Sequence, residues 1–124
     1  MAMEDMDPSL IQDFLTESNE LIEQLDADLV KLEEIEPAEQ KELLNGVFRA
    51  LHTIKGAASF LSMTTLTTFA HAAEDALNKL RKGDVQMTPE IMDAMLRSVD
   101  ILRGMLEEVE VQSYARVVSA AHKA

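Results

Sequence analysis

Residues Phe48–Leu61 read FRALHTIKGAASFL, and two periodicities superimposed on this stretch decide how the whole chain is read. Apolar residues at Leu44, Val47, Phe48, Leu51, Ile54, Ala58 and Leu61 recur at three- and four-residue steps, the spacing of one helical face. That face needs a core to pack against. A second row, Asn45, Arg49, His52, Gly56 and Ser59, follows the same helical period on another side and is polar or small at every position. His52 therefore lies beside the apolar face but on a row that belongs to water, with Lys55 about one turn further along. A wet histidine next to a lysine and a glycine is an arrangement for reactivity rather than for packing.

The flanking segments extend the helical pattern outward. Asp7-Pro8 is a helix start, with Asp as N-cap and Pro at the first helical position. Leu10, Ile11, Phe14, Leu15, Leu21, Ile22, Leu25, Leu29 and Leu32 then trace one apolar face to about Glu34. Glu36-Pro37 interrupts, because a residue before proline resists the α conformation, and the second helix is expected from about Ala38 to Leu61. Ser62-Met63-Thr64 is a short break in which Ser62 or Thr64 can cap a third helix. That helix buries Leu66, Phe69, Ala70, Ala73, Leu77 and Leu80. Lys82-Gly83-Asp84 ends it, with bases in the last turn and a glycine suited to the left-handed conformation.

Thr88-Pro89-Glu90 opens a fourth helix whose core stripe is Ile91, Met92, Met95, Leu96, Val99, Leu102, Met105, Leu106 and Val109. From Val111 to Ala124 the chain is Ala- and Val-rich with weaker periodicity, which suits either a short fifth helix or a linker. The expected architecture is all-α, an antiparallel up-down four-helix bundle over residues 1–110 followed by a C-terminal helix or linker over 111–124. The eight methionines are read as gap-filling core residues.

Composition narrows the functional classes. At 124 residues the chain fits one domain with its own core. It has no cysteine, which excludes disulfides, Cys-type zinc sites and thiol nucleophiles. A net charge of −12 repels phosphate backbones and anionic lipid, so neither nucleic acid nor a membrane surface is an expected partner. No apolar run approaches the roughly 18 residues of a membrane span. The opening MAMEDMDPSL lacks the basic and apolar regions of a signal peptide. A soluble, cytoplasmic protein is expected.

Helix arithmetic assembles a candidate site. In an antiparallel hairpin centred on Met63, residues equidistant from the turn lie at about the same height, which pairs His52 with Glu74 and Lys55 with His71. On the third helix, Thr67, His71, Glu74, Asn78 and Arg81 form a polar row outside the core stripe, able to face the wet row of the second. A carboxylate at Glu74 accepting the Nδ1–H of His52 leaves Nε2 with a free, oriented lone pair, a nucleophile. Lys55 brings a cation to where phosphoryl oxygens gather charge during in-line transfer. Gly56 removes a side chain beside the histidine and gives a partner protein close access. Each residue taken alone also suits an ordinary bundle surface; the matched heights and the mid-helix glycine make the combination harder to dismiss, and on the residues alone the functional and structural readings stand level.

The same residues carry a family resemblance. FRALHTIKGAASFL resembles the H-x-x-K-G phosphohistidine motif of histidine phosphotransfer (HPt) domains. With the His-x-x-Glu of FAHAAEDALNKLR, where His71 and Glu74 stand, it is most similar to the N-terminal phosphotransfer domains of CheA-type chemotaxis histidine kinases. The likeness extends from the acidic first helix, FLTESNELIEQLDADL, to the fourth. It implies a helical bundle whose His52 is phosphorylated by an ATP-binding kinase domain, in cis or in trans, and passes the phosphoryl group to an aspartate on a response-regulator receiver domain. By position, Glu74 is the hydrogen-bond partner of His52, Lys55 and His71 complete the polar network, and Gly56 is the docking glycine. The domain itself would need no cofactor, ATP and magnesium belonging to the partners. Ser62 and Met63 stand where the family pattern has a glycine followed by an aromatic or other apolar residue, the serine being the departure.

Three other readings compete. A metal-carboxylate bundle would use His and Glu on facing helices, but wants Glu-x-x-His where the second helix has His-x-x-Lys, and an ammonium repels a cation. A kinase dimerisation hairpin would build its bundle from two chains and precede a glycine-rich nucleotide motif, whereas this chain has four helices of its own, no such motif, and is expected to be monomeric. A structural or adaptor bundle would leave His52 idle.

Overall fold

The computed structural model describes residues 7–123. Asp7 starts the first helix as expected: its Oδ1 accepts the Ser9 N–H at 2.9 Å, and Pro8 takes the first helical position. α1 spans Pro8–Glu34, α2 Gln40–Phe60, α3 Thr64–Arg81 and α4 Pro89–Lys123. They form an all-α antiparallel up-down bundle, in which α1 packs on both α2 and α4, and α2 packs most extensively on α3. Of the helices adjacent in the bundle, α3 and α4 touch least, and an apolar cavity of about 320 Å³ lies between them, lined by Leu51, Ala73, Leu77, Ile91, Met95 and Val99 among others.

The core is aliphatic. Ile22, Leu25, Leu29 and Leu32 of α1, Ile54 of α2, and Leu102 and Leu106 of α4 are almost wholly removed from water, each contributing about 1.5–3 kcal/mol of burial. α3 adds smaller or fewer side chains, Leu66, Ala70 and Leu77. Met63 and Met92 are buried and Met87, Met95 and Met105 pack against the core, as gap-filling residues should. Met1, Met3 and Met6, like the rest of the first six residues of the expected 1–110 unit, lie outside the described residues, as does Ala124.

Local differences from the expected elements have physical causes. Pro37–Glu39 forms a 3-10 turn, so the α-helical part of α2 begins at Gln40 rather than Ala38. Leu10, placed on the apolar face of α1 by its spacing, is 44% exposed, just off the buried row of Ile11, Phe14 and Leu15. From Val111 onward there is neither a linker nor a separate fifth helix among the described residues: α4 runs unbroken to Lys123. It is eight residues longer than α1, about 12 Å at 1.5 Å per residue. Tyr114 and Val117 lie beside Pro8 and Ser9, with Val111, Tyr114, Val117 and Val118 exposed.

The α2–α3 turn explains how a serine can stand where glycine is the usual choice. The Met63 N–H bonds the Ala58 carbonyl at 2.9 Å and the Ser62 N–H bonds that of Ser59 at 3.0 Å, with Ser62 at φ 60°. This is a Schellman closure with serine in the left-handed position. The α3 terminus repeats it with glycine: Asp84 N–H to Lys79 and Gly83 N–H to Leu80, with Gly83 at φ 80°. The N-cap position of α3 falls on neither Ser62 nor Thr64. Met63 occupies its N-cap position without a side-chain bond, because that one buried residue both finishes the closure of α2 and begins α3.

A left-handed conformation costs a residue with a Cβ about 1 kcal/mol or more relative to glycine. Ser62→Gly is therefore expected to raise the unfolding free energy by up to about 1 kcal/mol, and Ser62→Val to lower it. Urea unfolding of the two variants checks this; a Val variant as stable as the wild type would contradict it.

Candidate functional site

The tight turn at Met63 sets α2 and α3 in register, and the pairing of heights follows from it. His52 on α2 and Glu74 on α3 meet with Nδ1 and Oε1 3.2 Å apart. Lys55 reaches the same carboxylate, its Nζ 3.1 Å from Oε1 and 2.9 Å from Oε2. Glu74 is only 8% exposed, and its Oε2, shut off from water, meets Lys55 as a charge rather than through a well-aligned hydrogen bond. A buried carboxylate is thus held between an imidazole and an ammonium.

Burial by itself pushes the Glu74 carboxyl up. The hydrogen bonds from Lys55 and His52, with the charges of both, outweigh it and hold the group below its ordinary value of 4.5. Glu74 is therefore ionised at neutral pH, and an ionised carboxylate can only accept hydrogen bonds. It follows that Nδ1 of His52 carries the proton and donates it. Nε2 then holds the lone pair on a ring whose side chain is 63% exposed. The arrangement presents an oriented nitrogen nucleophile to solvent, with a carboxylate behind it to stabilise positive charge on the ring.

A column of planar groups stands on the other side of His52. The Phe48 ring lies within 14° of parallel to the imidazole, with centroids 6.2 Å apart. The Arg81 guanidinium carbon sits 4.0 Å from the Phe48 ring centroid. Such a stack contributes on the order of 0.5–1 kcal/mol per contact at a partly exposed site. Arg81 is fixed in turn by Nε donating to Asn45 Oδ1 at 2.9 Å and Nη1 donating to Asn78 Oδ1 at 3.4 Å. Spacing had put Phe48 on the core stripe; it is half-buried at the rim, where it bridges α2 and α3.

The remaining candidates separate. His71 is exposed, its Nε2 3.6 Å from Asp75 Oδ1 on its own helix. Among the described residues no hydrogen bond or ion pair ties it to His52, Lys55 or Glu74. Gly56 is exposed, and a Cβ added there would meet nothing within 4 Å. Phe60, two turns beyond His52 on α2, is 80% exposed. Among the described residues no group of three or more His, Asp or Glu is placed to hold a metal, and no helix is long and apolar enough to cross a membrane. The cavity between α3 and α4 lies away from this chemistry and is lined by neither His52, Lys55 nor Glu74. The sequence reading missed the joint role of Asn45 and Arg81, although both stood on its polar rows and are equidistant from Met63.

The fold and the oriented histidine define a phosphotransfer class, and the sequence agrees: it matches the Hpt domain family over residues 9–112, and the chain belongs to that family. Within it, the chain is homologous to the phosphotransfer domains of CheA proteins. It is 50% identical over 97 residues to the sensor histidine kinase CheAY of Helicobacter pylori, an alignment covering 78% of this chain and 12% of that protein. The chain thus spans about an eighth of the length of that relative. The CheA phosphotransferase domain from Thermotoga maritima superposes with a TM-score of 0.76 at 29% identity, covering 84% of this chain and 97% of that one. The phosphorylated P1 domain of CheA3 in complex with CheY6 from R. sphaeroides gives a TM-score of 0.77 at 28% identity, covering 89% and 82%.

Because the folded Glu74 pKa is depressed, its ionised form contributes stability that is complete above the unfolded value and is lost as pH falls through the folded one. The stability advantage of wild type over Glu74→Gln is expected to be fully present above about pH 5 and to shrink as pH falls below about 4. Urea midpoints of the two proteins across that range test it; an advantage undiminished at about pH 3 would contradict an ionised Glu74.

Proposed function

We propose that this chain is a phosphorelay carrier in which His52 accepts a phosphoryl group from an ATP-dependent histidine kinase domain, in cis or in trans, and delivers it to an aspartate of a response-regulator receiver domain. The observation that carries the reading is an exposed Nε2 on a ring whose Nδ1 is held by a buried, ionised carboxylate. Kinship with CheA phosphotransfer domains supports it, as does the solved complex of one such relative with CheY6.

In the first step the Nε2 lone pair attacks the γ-phosphorus of ATP. An N–P bond forms, the bond from phosphorus to the bridging oxygen breaks, and ADP leaves with the electron pair. The ring becomes a phosphoimidazolium whose Nδ1 proton stays shared with Glu74, so the carboxylate balances the new charge. In the second step a receiver carboxylate oxygen attacks the same phosphorus, the N–P bond breaks, and its electrons return to Nε2. Positioning and electrostatics govern both steps, and the bundle performs no turnover alone. Magnesium and ATP reside with the partners.

Lys55 serves first to fix the Glu74 carboxylate, and its charge, one turn from His52, favours an incoming phosphoryl group. His71, exposed on α3 beside Asp75, has no step in this scheme. Gly56 and the exposed Phe60 leave room and apolar surface for a visiting domain. The carrier acts as a monomer in the cytoplasm, with the bundle over residues 1–110 as its working unit.

Incubation with a CheA-type kinase domain and ATP is expected to place an acid-labile, base-stable phosphate on His52, with His52→Gln blank. A metal centre or adaptor bundle would leave the wild type unlabelled. Glu74→Ala removes a charge-assisted bond of about 1.5–3 kcal/mol and should slow labelling roughly ten- to hundredfold while leaving a folded bundle; an unchanged rate would take Glu74 out of the mechanism. Gly56→Ala removes a helix penalty of about 1 kcal/mol where space is free. It should therefore raise thermal stability yet slow transfer to a receiver; equal or faster transfer would show that the open space is not used for docking.

A further inference from the structure

The Nδ1 hydrogen bond fixes one edge of the His52 ring but leaves the imidazole free to rock about the line from Nδ1 to Oε1, and rocking swings Nε2 through an arc. Within reach of that motion lies the Phe48 ring, almost parallel to the imidazole at 14°. Phe48 is held under the Arg81 guanidinium, and Arg81 is clamped by Asn45 from α2 and Asn78 from α3. Both clamps are neutral amides. In a chain with 23 acidic and 11 basic residues, Arg81 forms no ion pair among the described residues. A guanidinium held by amides is immobilised without losing its charge, and its flat face is what an aromatic ring stacks on.

We infer that Phe48 and Arg81 are positioning residues for His52: the Arg81–Phe48 stack sets the tilt of the imidazole and thereby aims Nε2 at the phosphoryl donor. This rests on the phosphorelay reading of His52 and adds a second support to the one that Glu74 supplies. Glu74 sets the tautomer and the charge, and the stack sets the angle. Because Arg81 acts through Phe48, the two residues form one device, and their effects cannot be independent.

The test is a double-mutant cycle on the full chain, read as the rate of His52 phosphorylation by a CheA-type kinase domain with ATP. Phe48→Leu and Arg81→Met should each lower kcat about three- to tenfold, with KM for the bundle unchanged. The double variant should be no slower than Phe48→Leu alone. Phe48→Tyr, which keeps the aromatic face, should restore the rate, while Arg81→Lys, which has no planar face, should not. Nitrogen NMR of the His52 ring should still report the proton on Nδ1 in every variant, separating loss of aim from loss of tautomer. Single variants at the wild-type rate, losses that multiply in the double variant, or failure of Phe48→Tyr to restore activity would each overturn the inference while leaving His52 as phosphoacceptor. A wild-type chain that takes no label would fail at the earlier step and sink the phosphorelay reading together with this one.

Discussion

The site depends on one carboxylate kept out of water. Glu74 is 8% exposed, and burial at that level costs an ion dearly unless partners replace its hydration. Here Lys55 and His52 are those partners, both from the neighbouring helix, so the α2–α3 seam and the chemistry are one construction. The histidine is oriented because the carboxylate needs a donor, and the carboxylate stays ionised because the lysine neutralises it. Removing either partner strips the buried carboxylate of part of what replaces its hydration. That mutual dependence is what turns an exposed imidazole into an aimed one.

The register that brings the three together comes from the turn at Ser62-Met63. A Schellman closure fixes both the direction and the height at which α3 leaves α2. Ser62 accepts a backbone conformation that glycine adopts freely, so the geometry survives the exchange at some cost in strain. Since Met63 is at once the last residue of one helix end and the first of the next, no slack remains for the hairpin to slip. The pairing of His52 with Glu74 and that of Asn45 with Arg81 both descend from it.

Much of this was legible in the sequence, for reasons that also explain the rest. Caps such as Asp7-Pro8 and Thr88-Pro89 are local, and each was found where the local rule put it. The His52–Glu74 contact needed only the centre of a turn and two helical rows. The partner of Lys55 was less legible, because a long flexible side chain chooses among neighbours by burial, which spacing does not reveal. His71 shares the row of Glu74 but has Asp75 one turn away on its own helix, and the local pair prevails. Phe48 stood at the margin between two faces, where period alone cannot separate core from rim. The Val111–Lys123 segment has weak periodicity because little of it packs against anything, yet Ala, Arg and Gln keep it helical.

The weak contact between α3 and α4, with an apolar void along it, has a consequence for how the molecule breathes. Thermal opening of a bundle begins where the fewest side chains interlock, which here is the rear of α3, facing α4, rather than its junction with α2. The histidine and its carboxylate straddle the best-knit joint in the fold. The domain can therefore loosen on one flank while the pair that holds its nitrogen stays put, much as a door may rattle at the latch while its hinge stays true.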